Sequence, residues 1–178
     1  MDHRRERALD LLRRQGAAEI EHLGSDLLTH LLGTEAILRA WRADEDVALA
    51  GLCHAAYGTD GFAPHLLELG ERGRLAAVVG AAAEAAVYRY ASCDRGAVHP
   101  QLGRPSVDFA DRFRGTSECL GAQAMRSFAL VTAANETDLV RRSVFDAATE
   151  AAIADLIARL APYLPDLRDL PDLPPLPD

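Results

Sequence analysis

The sequence predicts an all-α domain of about six helices, followed by an extended, proline-rich arm. Apolar residues recur at helical spacing along most of the chain, and the alternation of apolar and polar residues that marks strands is absent. Five of the nine prolines lie beyond residue 164. The 178 residues are enough for one domain with its own core. We therefore expect a helical domain over residues 1–164 and a proline-rich tail over residues 165–178.

Two helices are expected in the first forty residues. The first covers residues 5–15, where leucines recur at helical spacing, and it ends at Gly16, a residue type that commonly terminates helices. The second begins after Ser25 or Asp26, because either side chain can accept a hydrogen bond from the first turn. It continues to about Trp41.

A third helix is expected from Asp44 or Asp46 to near Gly58. The connector before it is short, so the second and third helices should be antiparallel neighbours. Residues 57–64 are rich in turn formers and predict a loop at the end of the third helix. Loops at such positions often contact ligands.

The second half of the chain is expected to contain three more helices. An alanine-rich helix from about residue 71 to residue 91 should be central and buried, because its apolar residues lie all round. Residues 92–118 predict a long irregular segment, typical of a lid or a substrate loop. Further helices are expected over residues 119–138 and 145–160, before the extended tail.

Two histidines lie inside apolar helical stripes. Successive helical residues are about 100° apart, which places His30 and His54 on faces that should be buried. The residues that form the two stripes are Leu27, Leu31, Thr34, Leu38 and Trp41 around His30, and Val47, Ala50, Gly51 and Gly58 around His54. A buried imidazole needs a partner for each ring nitrogen. Two such rings on consecutive helices predict a shared polar pocket or a metal site.

Composition and charge argue against several classes of binding partner. The formal charge is −8 and the arginines are scattered, which argues against nucleic acid and against an anionic membrane surface. No apolar run reaches membrane-spanning length, and the N-terminal residues lack the pattern of a signal peptide. An odd number of cysteines, three, argues against a disulfide framework. We expect a cytoplasmic protein with a small-molecule substrate, and a homodimer is possible through the alanine-rich helices.

Three short strings carry a resemblance to known proteins. They are HLLGT at residues 30–34, AGLCH at residues 50–54 and YGT at residues 57–59. With Asn135 far downstream, they resemble the all-helical HD superfamily, which binds metal through a histidine, a His-Asp pair and a distant aspartate. The strings are still more similar to a small HD-like family of unknown function with HLxGT, AGLFH and YGT motifs. The resemblance implies an HD-like helical bundle.

The chain departs from the HD pattern at two positions. Ala55 follows His54 where the superfamily has its aspartate, and Asn135 stands where a metal-binding aspartate is expected. An ordinary two-metal phosphohydrolase or a di-iron oxygenase is therefore not expected. A reduced site remains, in which His22, His30 and His54 bind zinc or iron.

A carboxylate from Glu84 or Asp94 could complete this metal site. Hydrolysis is the favoured chemistry, because it is the commonest in the superfamily, and iron-dependent oxidation is the alternative. For a buried glutamate such as Glu84, an ion pair with an arginine such as Arg95 is the more common outcome. Tyr57 and Thr59 are candidates for hydrogen bonds to a substrate, although such a sequence also ends helices.

Two other interpretations stay open at this point. In the first, no metal is bound and a histidine acts as general acid or base in an isomerisation, cyclisation or elimination. In the second, the helical scaffold binds a ligand or partner without chemistry. Asn135 could hold His54 or a substrate carbonyl, or simply join two helices.

Overall fold

The computed structural model describes residues 3–22, 24–142, 145–166, 170–171 and 173–174. This part of the chain contains eight α-helices and two small antiparallel sheets, so the protein is mostly helical, as expected. The helices are α1 (His3–Arg14), α2 (Leu27–Ala40), α3 (Glu45–Cys53), α4 (Arg72–Val79), α5 (Ala81–Ser92), α6 (Arg95–Val98), α7 (Ala122–Arg142) and α8 (Ala147–Leu160). The strands are β1 (Glu21–His22), β2 (Ser25–Asp26), β3 (Asp108–Asp111) and β4 (Thr116–Cys119).

Helix α2 packs most extensively against α3 and α7, and α5 contacts both of these helices. Helix α1 contacts α3 and α4, while α8 packs on α7. The middle of α7 is buried, including every polar residue from Thr132 to Asp138. The core of the domain therefore forms where α2, α3, α5 and α7 meet.

The start of α2 agrees with the sequence prediction. Asp26 is its N-cap, and the carboxylate accepts a hydrogen bond of 2.9 Å from the backbone N–H of Thr29. The third helix is shorter than predicted, because the chain tightens after Cys53. Bonds from Ala56 N–H to the Cys53 carbonyl and from Gly58 N–H to the Ala55 carbonyl replace the helical pattern.

The alanine-rich segment forms two helices rather than the single one predicted. Gly80 separates α4 from α5 with φ 92° and ψ 156°. This conformation is open to glycine and strained for other residues, so the chain turns here. Periodicity alone did not show the break, because both flanking helices are rich in alanine.

The segment 92–118, predicted as irregular, contains α6 and the β3–β4 hairpin. Both strands have four residues. Burial alternates only along β3, because every residue of β4 is exposed, and so short a pattern is not recognisable in the sequence. The two-residue strands β1 and β2 likewise pair antiparallel, Glu21 with Asp26 and His22 with Ser25. The expectation of a chain without strands is therefore wrong in these two places, and α7 begins at Ala122 because β4 occupies residues 116–119.

Part of the proline-rich tail docks on the domain. The indole N–H of Trp41 donates to the carbonyl of Pro171 at 2.9 Å, and Leu170 is buried. Residues 167–169, 172 and 175–178 lie outside the described residues, so the extended arm stays a prediction. Among the described helices, none combines the length and the apolar character that a bilayer crossing needs.

Candidate functional site

The structure brings His30 and His54 together in the core. His30 lies on α2 and His54 follows the last residue of α3, and each side chain is 2% exposed. Their rings meet edge to face with centroids 5.0 Å apart, and their Nε2 atoms are 3.2 Å apart. The short connection between α2 and α3 makes the two helices antiparallel neighbours, which is why residues 24 positions apart converge.

The proton position on His54 follows from its neighbours. Its Nδ1 lies 2.8 Å from the carbonyl oxygen of Gly51, which can only accept, so Nδ1 holds the proton. Burial lowers the pKa of His54 well below its ordinary value, and a charge on nearby His30 lowers it further. His54 is therefore neutral, and its Nε2 presents a lone pair to His30.

His30 is surrounded by hydrogen-bond acceptors. Its Nδ1 lies 2.7 Å from Oδ2 of Asp138 on α7, and its Nε2 lies 3.0 Å from Oδ1 of Asn135. With Asp138 ionised, Nδ1 donates to the carboxylate, and Nε2 then faces the lone pairs of both His54 and Asn135. Three electron-rich atoms this close need a cation among them. The cation can be a proton on His30 or a metal ion.

The spacing of these atoms fits a divalent metal. Ligands about 2.1 Å from a metal and at right angles to each other are about 3.0 Å apart. The separations from His30 Nε2 to His54 Nε2 and to Asn135 Oδ1 are 3.2 and 3.0 Å. No group of three or more His, Cys, Asp or Glu side chains suited to a metal occurs among the described residues. The third donor of this set is an amide oxygen, which such a group does not include.

His22 adds a further imidazole beside this set. It belongs to β1, and its ring centroid lies 4.6 Å from that of His30 and 4.7 Å from that of Phe62. Its Nε2 is the one buried side-chain nitrogen or oxygen without a hydrogen-bond partner in the described part of the chain. Burial lowers the pKa of His22, which keeps this nitrogen available as an acceptor or ligand. The orphaned nitrogen of His22 is thus available to a ligand, although His22, His30 and His54 do not form a three-histidine metal group among the described residues.

Sequence reasoning missed Asp138, the partner that orients His30. Its Oδ2 also accepts from Nε of Arg142 at 2.6 Å, one helical turn further along α7. A signal for it was present, because Asp138 lies three residues after Asn135 and so on the same face of the helix. Hydrogen bonds of this kind, from a carboxylate to His30 and from a carbonyl to His54, are the usual outer contacts of metal-binding histidines.

A glycine in the HLLGT string makes room for Asp138. A methyl group added at Gly33 would overlap Oδ1 of Asp138 and crowd the guanidinium of Arg142. Gly51 has the same role between α3 and α2, because a methyl group there would overlap Leu38. The glycines of two of the three strings therefore allow the close helix approach that brings the site together.

Glu84, the predicted carboxylate ligand, lies in a different cluster. Its two oxygens accept from Nε and a terminal nitrogen of Arg72 at 2.6 and 2.9 Å, and Tyr57 donates to it at 3.0 Å. The ion pair expected for Glu84 is thus present, but the arginine is Arg72 rather than Arg95. Asp94, the other candidate carboxylate, caps α6 by accepting from the N–H of Ala97.

Tyr57 and Thr59 line a surface cleft of about 480 Å³ that Phe62 also borders. Both residues are buried, and the hydroxyl of Tyr57 is bound to Glu84. Through Phe62, this cleft reaches the ring of His22. The structure therefore places the YGT loop beside the histidines and does not bring Tyr57 into contact with them.

A second cleft, of about 390 Å³, lies between α6, α7 and α8. Glu136 lines it and accepts a hydrogen bond of 3.1 Å from the amide nitrogen of Asn135, so one residue separates the cleft from the histidine cluster. Burial raises the pKa of Glu136. His99 also lines this cleft, and burial lowers its pKa to about 4.

Comparison with known proteins yields one similarity. Residues 11–95 match a protein family described as a domain of unknown function, DUF6817. No curated protein and no solved structure matches the chain. The matched residues contain His22, His30 and His54, whereas Asn135 and Asp138 lie beyond them on α7.

Proposed function

We propose that this chain is an HD-like, metal-dependent enzyme that hydrolyses a small molecule. His30, His54 and Asn135 bind one divalent cation, zinc or iron, and His22 completes the ligand set. The HD-like arrangement rests on the order of these residues along the chain and on their meeting between three helices. Asn135 takes the position of the distant aspartate, which reduces the negative charge of the site.

One observation supports the proposal above all others. Nε2 of His30, Nε2 of His54 and Oδ1 of Asn135 converge with their lone pairs in a buried space, at separations of 3.0 and 3.2 Å. Burying three acceptors without a cation costs free energy. The orphaned Nε2 of His22 beside them adds a fourth acceptor that lacks a partner.

The surrounding residues hold the ligand atoms in place. Asp138 accepts the Nδ1 proton of His30, and Gly51 accepts that of His54, so both Nε2 atoms stay unprotonated and aimed at the same point. Glu136 holds the amide nitrogen of Asn135, which turns the amide oxygen toward the histidines. Each of these contacts fixes a tautomer or an amide orientation before any ligand arrives.

A divalent cation, when bound, supplies a Lewis acid and a water nucleophile active near neutral pH. Hydrolysis follows from the HD resemblance, in which it is the commonest reaction. The cleft beside Glu136 is the route by which substrate approaches, because it is separated from Asn135 by a single hydrogen bond.

The His30–Asp138 pair favours a second candidate, general acid–base catalysis without a metal. The carboxylate of Asp138 orients the His30 ring through Nδ1, and the contact between the Nε2 atoms of His30 and His54 offers a place for a transferred proton. In this case the cation among the three acceptors is a proton on His30. The reaction class is then an isomerisation, cyclisation or elimination.

Metal content measured on protein without a histidine tag tests the proposal. We expect about one zinc, iron or manganese ion per chain in the wild type, and loss of this ion in His54→Ala and His54→Gln. His65→Ala is the matched control, because His65 is exposed and bonded to Glu68. Its metal content should equal that of the wild type, and circular dichroism checks the fold of each variant.

Two outcomes contradict the proposal. Wild-type protein that binds none of these metals, even when each is added, removes the metal site. A chelated protein that still turns over reporter esters or a substrate at the full rate supports acid–base catalysis instead.

A further inference from the structure

Arg95 carries a positive charge close to two carboxylates, those of Glu136 and Asp60, which interact with it electrostatically. Its side chain lines the cleft between α6, α7 and α8, and a terminal nitrogen donates to the hydroxyl of Tyr90 at 2.9 Å. No ion pair joins it to a carboxylate among the described residues. A guanidinium has five N–H donors, so most of them are left for a ligand or for water.

The other charged groups of the cleft are already engaged. Arg159 pairs with Asp155 of the same helix at 2.7 Å, and Glu136 accepts from Asn135. Arg95 is therefore the basic side chain of this cleft that has no ion pair among the described residues, and an added anion would share it with the nearby carboxyl group of Glu136. A guanidinium binds carboxylate and phosphate groups well because its paired N–H donors match two oxygens.

Two contacts hold Arg95 in position next to the histidines. Its backbone N–H donates to Oδ2 of Asp60 at 2.9 Å, so the loop that follows the YGT string anchors the start of α6. The hydroxyl that accepts a hydrogen bond from the Arg95 guanidinium belongs to Tyr90. The Tyr90 ring packs against His54, with ring centroids 5.2 Å apart. The ring of Tyr90 thus separates the Arg95 guanidinium from His54, one of the proposed metal ligands.

We propose that the substrate is an anion and that Arg95 binds its carboxylate or phosphate group in this cleft. The inference rests on the proposed function, because it treats the cleft as the substrate site of the histidine cluster. Asp60 is a positioning residue for Arg95, which gives the loop after His54 a role in substrate recognition. The rest of the substrate then extends toward Glu136 and Asn135.

Isothermal titration with inorganic phosphate and, separately, with succinate tests this assignment. We expect wild-type protein to bind at least one of the two anions and Arg95→Gln to bind it about tenfold more weakly or worse. Arg95→Lys, which keeps the charge and loses the paired donors, should fall between them. Arg126→Gln, an exposed arginine on α7 outside this cleft, is the matched control and should bind like the wild type.

The same titration on His54→Ala separates this inference from the proposed function. Anion binding that persists in His54→Ala and is lost in Arg95→Gln supports the role of Arg95, whatever the metal content. Anion binding lost in His54→Ala but kept in Arg95→Gln places the anion on the metal and overturns the inference. It is also overturned if neither anion binds the wild type, or if Arg159→Gln rather than Arg95→Gln abolishes binding. Which anion binds more tightly distinguishes a phosphate from a carboxylate substrate.

Discussion

The carboxylate of Asp138 lies 2.7 Å from Nδ1 of His30, although 108 residues separate them along the chain. Both side chains are almost fully buried, and Arg142 binds the same carboxylate oxygen. The pair fixes which nitrogen of His30 carries a proton, and hence that Nε2 faces His54 and Asn135. The chemistry of the site therefore depends on a residue that lies outside the three recognisable strings.

Replacing Asp138 should weaken metal binding without removing a ligand. In Asp138→Asn the carboxylate charge is lost, so His30 is a weaker ligand and the amide no longer neutralises Arg142. We expect zinc affinity to fall by about 10- to 100-fold in a competition assay with a chelating dye. Asp10→Asn, an exposed acid on α1, should leave the affinity unchanged. An affinity equal to wild type in Asp138→Asn would show that the pair has no influence on metal binding.

His22 should have opposite effects on the metal-free and metal-bound protein. His22→Phe fills a similar volume beside Phe62 and removes a buried nitrogen that has no partner. Without metal, we expect the free energy of unfolding to stay equal or to rise by about 1 kcal/mol. With zinc present, the stabilisation should be smaller than in the wild type, because one ligand is missing. Urea denaturation with zinc and with chelator measures both, and equal zinc stabilisation in the two proteins would exclude His22 as a ligand.

Gly33 tests whether close helix contact supports the site. In Gly33→Ala the new methyl group overlaps Asp138 and Arg142, so the carboxylate must move away from His30 or α2 must shift. We expect a loss of about 1–3 kcal/mol in the free energy of unfolding, together with weaker zinc binding. Gly73→Ala is the control, since a methyl group at this position of α4 meets no other atom within 4 Å. It should be neutral or stabilising by up to about 1 kcal/mol. Equal stability of the two variants would contradict the packing described here.

Glu84 should matter for stability and not for metal binding. Its buried carboxylate is bound by Arg72 and Tyr57, so Glu84→Ala leaves a hydroxyl and a half-buried guanidinium without their partner. We expect the free energy of unfolding to fall by about 1–3 kcal/mol. Metal content should remain at the wild-type value. Loss of metal from folded Glu84→Ala would show that Glu84 is a metal ligand, as the sequence predicts.

The cap of α2 should give a pH-dependent contribution to stability. Hydrogen bonds from the hydroxyl and then the backbone N–H of Thr29 lower the pKa of Asp26 below its ordinary value. A lowered pKa in the folded state stabilises the protein above the unfolded-state pKa of about 3.9, and this contribution is lost as the pH falls through the folded-state pKa. At pH 7, Asp26→Ala should cost about 1 kcal/mol. The stability difference between wild type and Asp26→Ala should shrink below pH 4 in urea denaturation curves, and a constant difference would contradict this assignment.

Several features of the fold followed from local patterns in the sequence. The apolar spacing around residues 27–41 and the acceptor at Asp26 predict α2 to within one residue, because both signals act within one or two turns. The same periodicity places His30 and His54 on inward faces. Weaker local signals failed: the two hairpins are too short to show alternation, and Gly80 is hidden between two alanine-rich helices.

By itself, the sequence determined the helical class and the inward faces of His30 and His54, because helical periodicity is a property of neighbouring residues. The resemblance to the HD superfamily added Asn135 as a candidate. Only the tertiary structure decided which side chains meet. Asp138 binds His30, and Glu84 forms an ion pair with Arg72. Such partners depend on how helices distant in sequence cross and how closely they approach. The approach of α2 to α7 depends in turn on the missing side chain of Gly33, whose effect appears only when Asp138 occupies that space.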